Sequence, residues 1–343
     1  MDITRENFGT TKDGSPITAF TFSNGTIKAR VCDYGAILLN LWVPDRAGNV
    51  ADVVCGYDTA EEYFANPCNF GATIGPSANR IAGGEVPIDG VSYHMVKNEG
   101  ENNLHTDADA GLHKVMWAAE EIADGVRFSI ELSDGQYGLP GERKMSVSYR
   151  IVGEGGLRIE YDCSSDKKTL FNPTNHSYFN LKGAGDVLGH VLTLSSGAYT
   201  PVSDDLIPNG RIAPVDGTAF DFREGKAIGD DIKSENPMIQ GALGFDLNYA
   251  VYGYLAGKEQ KIATVKEPES GRVMEVYTDL PGVQLYTANY VDEKTGKGGE
   301  PYGQYCALCL ETQYFPDSVH HKNFVSPLSE SCHTATEYRF SAE

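Results

Sequence analysis

Residues 126–163 read VRFSIELSDGQYGLPGERKMSVSYRIVGEGGLRIEYDC, and three runs within them alternate apolar and polar side chains. Val126, Phe128, Ile130 and Leu132 stand against Arg127, Ser129 and Glu131; Met145, Val147, Tyr149 and Ile151 form the second set; Leu157, Ile159, Tyr161 and Cys163 stand against Arg158, Glu160 and Asp162. A period of two is the mark of a half-buried strand, because successive side chains leave opposite faces of the backbone. The connections hold Gly138-Leu-Pro-Gly141 and Gly153-Glu-Gly-Gly156, turn compositions that join antiparallel neighbours. The stretch therefore predicts an antiparallel meander.

Outward from it, further strands are predicted over Ile27–Val31, Ile37–Val43, Val191–Leu194, Ile262–Val265, Val273–Tyr277 and Gln284–Tyr290, separated by Asp, Asn, Gly and Pro clusters. Helical periodicity is confined to short pieces such as Thr59–Phe64. Strands without intervening helices exclude a doubly wound α/β fold and point to an all-β chain, a large antiparallel β-sandwich. No low-complexity or linker-like stretch divides residues 1–343, which are read as a single domain.

Composition narrows the function classes. With 28 Lys+Arg against 48 Asp+Glu, the net charge of −20 repels phosphate backbones and anionic membrane surfaces, so neither nucleic acid nor membrane is expected as a partner. The polar start, Met-Asp-Ile-Thr-Arg-Glu-Asn-Phe, has no secretion-signal pattern. Seven scattered cysteines, an odd number, read as reduced thiols, and the expected compartment is the cytoplasm.

Candidate chemistry begins at Tyr305–Asp317, an apolar strand that ends on Glu311 and Gln313, both on the face of Ala307 and Cys309. A carboxylate in so apolar a strand is costly unless it is partnered or used. Cys306-x-x-Cys309 lacks a second pair, and residues three apart on a strand face opposite ways, so it is not read as a metal or redox site. Asn172-Pro-Thr-Asn-His-Ser-Tyr-Phe-Asn180 surrounds His176 with hydrogen-bonding side chains; an imidazole, with an unperturbed pKa of about 6.5, can carry a proton near neutrality. Three further clusters hold Asn102-Asn-Leu-His105 with Gly111 and Trp117, Ala78-Asn79-Arg80-Ile81, and Gly244-Phe-Asp246-Leu-Asn248-Tyr249. Amides, Arg and Asp beside aromatic rings suit a polyhydroxylated sugar, whose hydroxyls need directional partners and whose C–H face packs on a ring. His320, His321 and His333 lie in polar sequence and are read as surface residues.

Taken together, these clusters resemble the aldose 1-epimerase (galactose mutarotase) family along nearly the whole chain. The resemblance rests on Asp33-Tyr-Gly-Ala36, Val43-Pro-Asp-Arg46, Ala78-Asn-Arg-Ile-Ala82, Asn103-Leu-His105, Asn172-Pro-Thr-Asn-His-Ser-Tyr-Phe-Asn-Leu181, Pro281-Gly-Val-Gln-Leu-Tyr-Thr-Ala-Asn289, Glu311-Thr-Gln313 and Phe315-Pro-Asp317. It implies a galactose mutarotase-like supersandwich, a small-molecule sugar substrate, and neither cofactor nor metal. It implies Glu311 as general base, His176 as general acid, His105 as the second active-site histidine, and Asn79, Arg80, Asp246 and Gln284 as residues that hold the sugar hydroxyls. The chain departs from the family pattern at Gly75-Pro-Ser-Ala78, at Thr106-Asp107 after His105, and at Leu247, where a histidine is common. Each departure is expected to reshape the pocket.

The expected reaction is exchange of the α and β anomers of free aldohexoses, galactose and glucose, by ring opening and closure between two proton carriers. Other readings stay open on sequence grounds: a metalloenzyme using His105, His176 and Glu311; a glycosidase pairing Asp246 with Glu311; a non-catalytic sugar-binding protein on the same fold; and a mutarotase for a phosphorylated or other aldose.

Overall fold

The computed structural model describes residues 1–343. The meander appears where the alternation places it, as Gly125–Leu132, Arg143–Val152 and Gly156–Leu170. These strands lie within a nine-stranded antiparallel sheet whose order is Ala118–Ile122, Gly125–Leu132, Arg143–Val152, Gly156–Leu170, Leu328–Ala342, Arg272–Thr278, Gln260–Lys266, Val191–Leu194 and Lys226–Ala227. The C-terminal strand is thus inserted in mid-sheet, with Tyr161 opposite Thr334 and Val276 opposite Tyr338. It joins the meander on one side to Arg272–Thr278 on the other.

Two five-stranded sheets complete the architecture. The N-terminal one runs in sequence order from Asp2–Thr10 through Pro16–Ser23, Lys28–Cys32 and Ile37–Pro44 to Val50–Asp52. Its near-continuous apolar strand Ile37–Pro44 is covered on both faces: Leu38 and Leu41 join the main core, whereas Ile37 and Leu39 join a second one. That is why its sequence does not alternate. The other sheet is ordered Ala213–Pro214, Ala198–Tyr199, Asp246–Ala250, Gly282–Tyr286 and Cys309–Gln313. Leu247, Tyr249, Val283, Leu285 and Leu310 from its inner face meet Val126, Phe128, Val147 and Tyr149 of the nine-stranded sheet in one continuous apolar core. The fold is a large antiparallel β-sandwich.

Helix is short, as expected: Ala60–Ala65 starts where the Thr59 backbone N–H donates to Glu62 Oε2 at 3.0 Å. One predicted strand is corrected. Gln284–Tyr290 is instead Gly282–Tyr286, because Ala288 takes a left-handed φ of 53° and the Thr287 hydroxyl turns back onto the Asn289 side chain. Asn289 in turn donates to the Phe245 carbonyl at 3.0 Å. A polar turn closed on itself overrides the strand propensity of its residues.

The polar run 172–180 is buried, and its side chains clasp separate strands. Thr174 Oγ1 donates to the Thr312 carbonyl (2.9 Å), Asn175 Nδ2 to Tyr149 Oη (3.0 Å), and Asn180 Nδ2 to the Cys306 carbonyl (2.8 Å). Phe179 anchors the run: its backbone exchanges hydrogen bonds with Leu308, and its fully buried ring lies 4.8 Å from that of Tyr338. Phe179→Ala is expected to cost about 3–5 kcal/mol of folding stability, measured as a lowered urea midpoint with unchanged slope.

Candidate active site

Antiparallel register builds the floor of the site. Gln284 is paired with Asn248 on one side and Glu311 on the other, while Tyr286 is flanked by Asp246 and Cys309. Directly opposed residues share a face, so Asp246, Asn248, Gln284, Tyr286, Cys309, Glu311 and Gln313 all turn away from the core that takes Leu247, Val283, Leu285 and Leu310. Gly282 is required in this network, since a Cβ there would come within 2.5 Å of Asn248 Oδ1. Leu247 is buried in the core, so the departure at this position leaves the cavity wall unchanged.

A cavity of about 380 Å³ opens above this floor and gathers all seven residues singled out from sequence: Asn79, Arg80, His105, His176, Asp246, Gln284 and Glu311. His176 ends the short strand Thr174–His176, paired with Ala72–Ile74. Its ring stacks on Tyr178 at 5.0 Å and meets the edge of His105 at 5.3 Å. Asn79 and His105 come from facing loops, both with left-handed φ, 58° and 53°. They hold one another: the Asn79 N–H donates to His105 Nδ1 and the His105 N–H donates to the Asn79 carbonyl, both at 3.1 Å. Mutual bonds of this kind sustain a backbone conformation that non-glycine residues seldom adopt. At the neighbouring departure, Thr106 is buried and its hydroxyl ties the loop to Ser77, so it braces the wall from behind.

Sequence reading missed several cavity residues. Glu99, which no motif singled out, grips Arg80 with two oxygens at 2.6 and 2.7 Å. Tyr178 and Tyr286 supply the aromatic faces, and Tyr290 stands at the cavity as well; Trp117 instead donates to the Leu112 carbonyl in the core. The surface reading holds for His320 and His333, which are exposed, and is corrected for half-buried His321. His320 Nδ1 lies 2.6 Å and His321 Nε2 3.4 Å from the buried carboxylate of Asp317, which also accepts the Ala82 N–H. Asp317 thereby fixes the segment that carries Arg80, and no sequence signal marked that long-range clasp.

The electrostatics follow from burial. Gln313 donates to Gln284 Oε1 at 3.3 Å, and Gln284 donates to Asp246 Oδ1 at 2.7 Å, an amide relay that orients the carboxylate. Burial alone lowers the Arg80 pKa, but Asp246 and Glu99 overcome it, and the guanidinium stays charged. Glu311 has no such relief: its Oε2 is buried without a hydrogen-bond partner, 3.7 Å from His176 Nε2. Burial, reinforced by the Asp246 charge and opposed by Arg80, pushes its carboxyl up to about 8. Burial also lowers His176, to about 4, and His105 well below the ordinary imidazole value.

The ligating atoms of His105, His176 and Glu311 lie within 4.8 Å of one another, yet the surroundings do not suit a metal ion. A metal-bound imidazole presents a lone pair to the ion and donates from its other nitrogen to an acceptor. Behind His105 stands a donor, the Asn79 N–H, which fixes the neutral ring with its proton on Nε2. The arrangement offers hydrogen-bond donors and proton carriers to a polyhydroxylated ligand.

Comparison with known proteins agrees with this class of fold. Solved structures of similar fold include the GalM/aldose epimerase homologue from C. elegans (TM-score 0.84, 29% identity, covering 93% of this chain and 97% of that one). Another is galactose 1-epimerase from Lactobacillus acidophilus (TM-score 0.84, 24% identity, 99% of both chains). Residues 18–331 match the family model for aldose 1-epimerase. Rat galactose mutarotase is 39% identical over 350 residues, 99% of each chain, and the aldose 1-epimerase of Escherichia coli (strain K12) is 32% identical over 340 residues, 96% of this chain and 97% of that one. The chain belongs to the aldose 1-epimerase family.

A stability prediction follows from Glu311. Its folded pKa lies above the unfolded value, so its contribution is fully present below about pH 4.5 and is lost as pH rises toward about 8, while the unfolded chain ionises freely. Glu311→Gln is therefore expected to be more stable than the parent by on the order of 2–4 kcal/mol at pH 8. Denaturant melts at both pH values check this, and the gap is expected to close by pH 4.

Proposed function

We propose that this chain interconverts the α and β anomers of free aldohexoses, galactose and glucose among them, with Glu311 as base and His176 as acid. The observation that carries the reading is the unpartnered Glu311 Oε2 facing His176 Nε2 across 3.7 Å inside a polar cavity. A binding protein has no use for so costly an acceptor, whereas anomer exchange needs a base at the C1 hydroxyl and an acid at the ring oxygen. Membership of the aldose 1-epimerase family supports the same conclusion.

The proton balance explains why the pair is buried. In the working form His176 carries two protons and Glu311 none. Glu311 takes the C1 hydroxyl proton, His176 protonates the ring oxygen, the C1–O5 bond breaks, and an aldehyde forms at C1. The proton has then moved from His176 to Glu311, leaving both neutral, which is the state burial favours. Rotation about C1–C2 presents the other carbonyl face, and the same two transfers run backwards to close the ring. Two proton carriers complete the cycle, with no cofactor required by the chemistry. His105, an Nε2 donor, steadies the oxygen that changes charge, and Asn79, Arg80, Asp246 and Gln284 hold the remaining hydroxyls.

The cavity's charge supports free over phosphorylated sugars. Glu99, Asp246, Asp292 and Glu293 line it, and its arginine is already gripped by Glu99; phosphate recognition asks for several uncommitted donors. No helix is long and apolar enough to cross a membrane, and seven free thiols favour a reducing compartment such as the cytoplasm.

Polarimetry of freshly dissolved α-D-glucose and α-D-galactose tests the reading, and faster relaxation with the protein present is the expected outcome for at least one. Glu311→Gln and His176→Asn are each expected to slow turnover by about 10²–10⁴-fold while still folding; near-normal rates in either would remove its assigned role. α-D-glucose 6-phosphate is expected to be a poorer substrate.

The pair holds one proton between about pH 4 and about 8. A pH series of kcat/KM is accordingly expected to show a plateau in that window, falling below it as the base is protonated and above it as the acid is lost.

A further inference from the structure

His176 and His105 are both pushed toward neutrality, but the groups behind them differ. Behind His105 Nδ1 stands the Asn79 backbone N–H, which can only donate. A second proton on that ring would set two hydrogens face to face. Behind His176 Nδ1, at 3.6 Å, stands the thiol of Cys309, and a thiol both donates and accepts. Cys309 is fully buried, two residues before Glu311 on the same face of the strand. The ring's own backbone carbonyl is a second acceptor beside the imidazole, and Nε2 faces Glu311.

We propose that Cys309 is a positioning residue for the reaction, a sulfur acceptor that keeps one proton on His176 Nδ1 and so leaves Nε2, the nitrogen facing the cavity, free to gain and lose the second. With His176 neutral, Nδ1–H donates to a sulfur lone pair and Nε2 is bare. With His176 charged, the same bond to sulfur persists and Nε2–H is the proton given to the ring oxygen. Burial, with Glu311 close by, raises the thiol well above its ordinary pKa, so the S–H is retained across the working range. The thiol transfers no proton to the sugar and stays outside the bond changes. A backbone N–H behind His105 sets the Nε2–H tautomer; a sulfur acceptor behind His176 sets Nδ1–H and leaves Nε2 to carry the labile proton.

The inference rests on reading His176 as the acid, and its test separates the two. Cys309→Ala and Cys309→Ser remove nearly the same volume, yet only serine keeps a group that donates and accepts. Cys309→Ala is expected to lower kcat about tenfold or more with KM within about twofold, and to move the acid limb of the pH profile to lower pH. Cys309→Ser is expected to recover most of both. Equal losses in the two variants, or a wild-type kcat and profile in Cys309→Ala, would overturn the proposal. Imidazole ¹⁵N NMR of the unsubstituted protein gives a readout independent of activity and of whether either variant folds. Neutral His176 is expected as the Nδ1–H tautomer and His105 as the Nε2–H tautomer, with only His176 gaining a second proton on acidification. An Nε2–H tautomer for neutral His176, or protonation of His105 first, would overturn it. Absence of mutarotation by the unsubstituted protein would instead remove the functional reading while leaving the tautomer result to stand.

Discussion

The pairing of Gln284 with Glu311, between Gly282–Tyr286 and Cys309–Gln313, is the constraint from which the site is assembled. Side chains alternate with a period of two, so a slip of one residue would drive Glu311 into the apolar core and turn Leu310 into the cavity. The register is held from both sides. Leu285 and Leu310 gain burial only on the core face, and Gln313, Gln284 and Asp246 complete their relay only on the other. Hydrophobic burial and polar satisfaction thus select the same pairing, so the floor of the site is as rigid as the sandwich itself.

Rigidity allows the site to keep groups that a flexible loop would expose to water. Arg80 and Asp246 are offset by charge and by amide donors, whereas Glu311 keeps a bare oxygen toward the ligand. The cost is local and carried by the surrounding core, whose apolar burial outweighs one raised carboxyl. In the proposed cycle, the carboxyl and imidazole each sit near the protonation state that they reach midway.

The loops above the floor are fixed by a different means. Asn79 and His105 adopt left-handed backbone conformations and bind one another through main chain and ring, and Asp317 pins the segment beyond Arg80. These contacts join segments far apart in sequence. Their effect is to orient Nε2 of His105 and to hold Arg80 in its grip with Glu99 while leaving the rest of the cavity to hydroxyl groups.

Local residue patterns mark the sheet-forming segments whose two faces see different environments, because water on one side and core on the other leave an alternating signature in Val126–Leu132, Met145–Ile151 and Leu157–Cys163. They also mark His176 and Glu311, since dense polar runs and a carboxylate in an apolar strand are locally anomalous, and the family resemblance added His105 as a second active-site histidine and assigned Asn79, Arg80, Asp246 and Gln284 to the sugar. Contacts between distant segments supply what lies outside such local signals. Glu99 became a partner of Arg80, His320 and His321 became supports of Asp317, and the strand at Gln284 stopped at Tyr286 because Asn289 finds the Phe245 carbonyl. The same holds for the distinction between the two histidines. A tautomer is set by whatever stands behind the ring, and for His176 that is a sulfur 133 residues away along the chain, a contact no local pattern encodes.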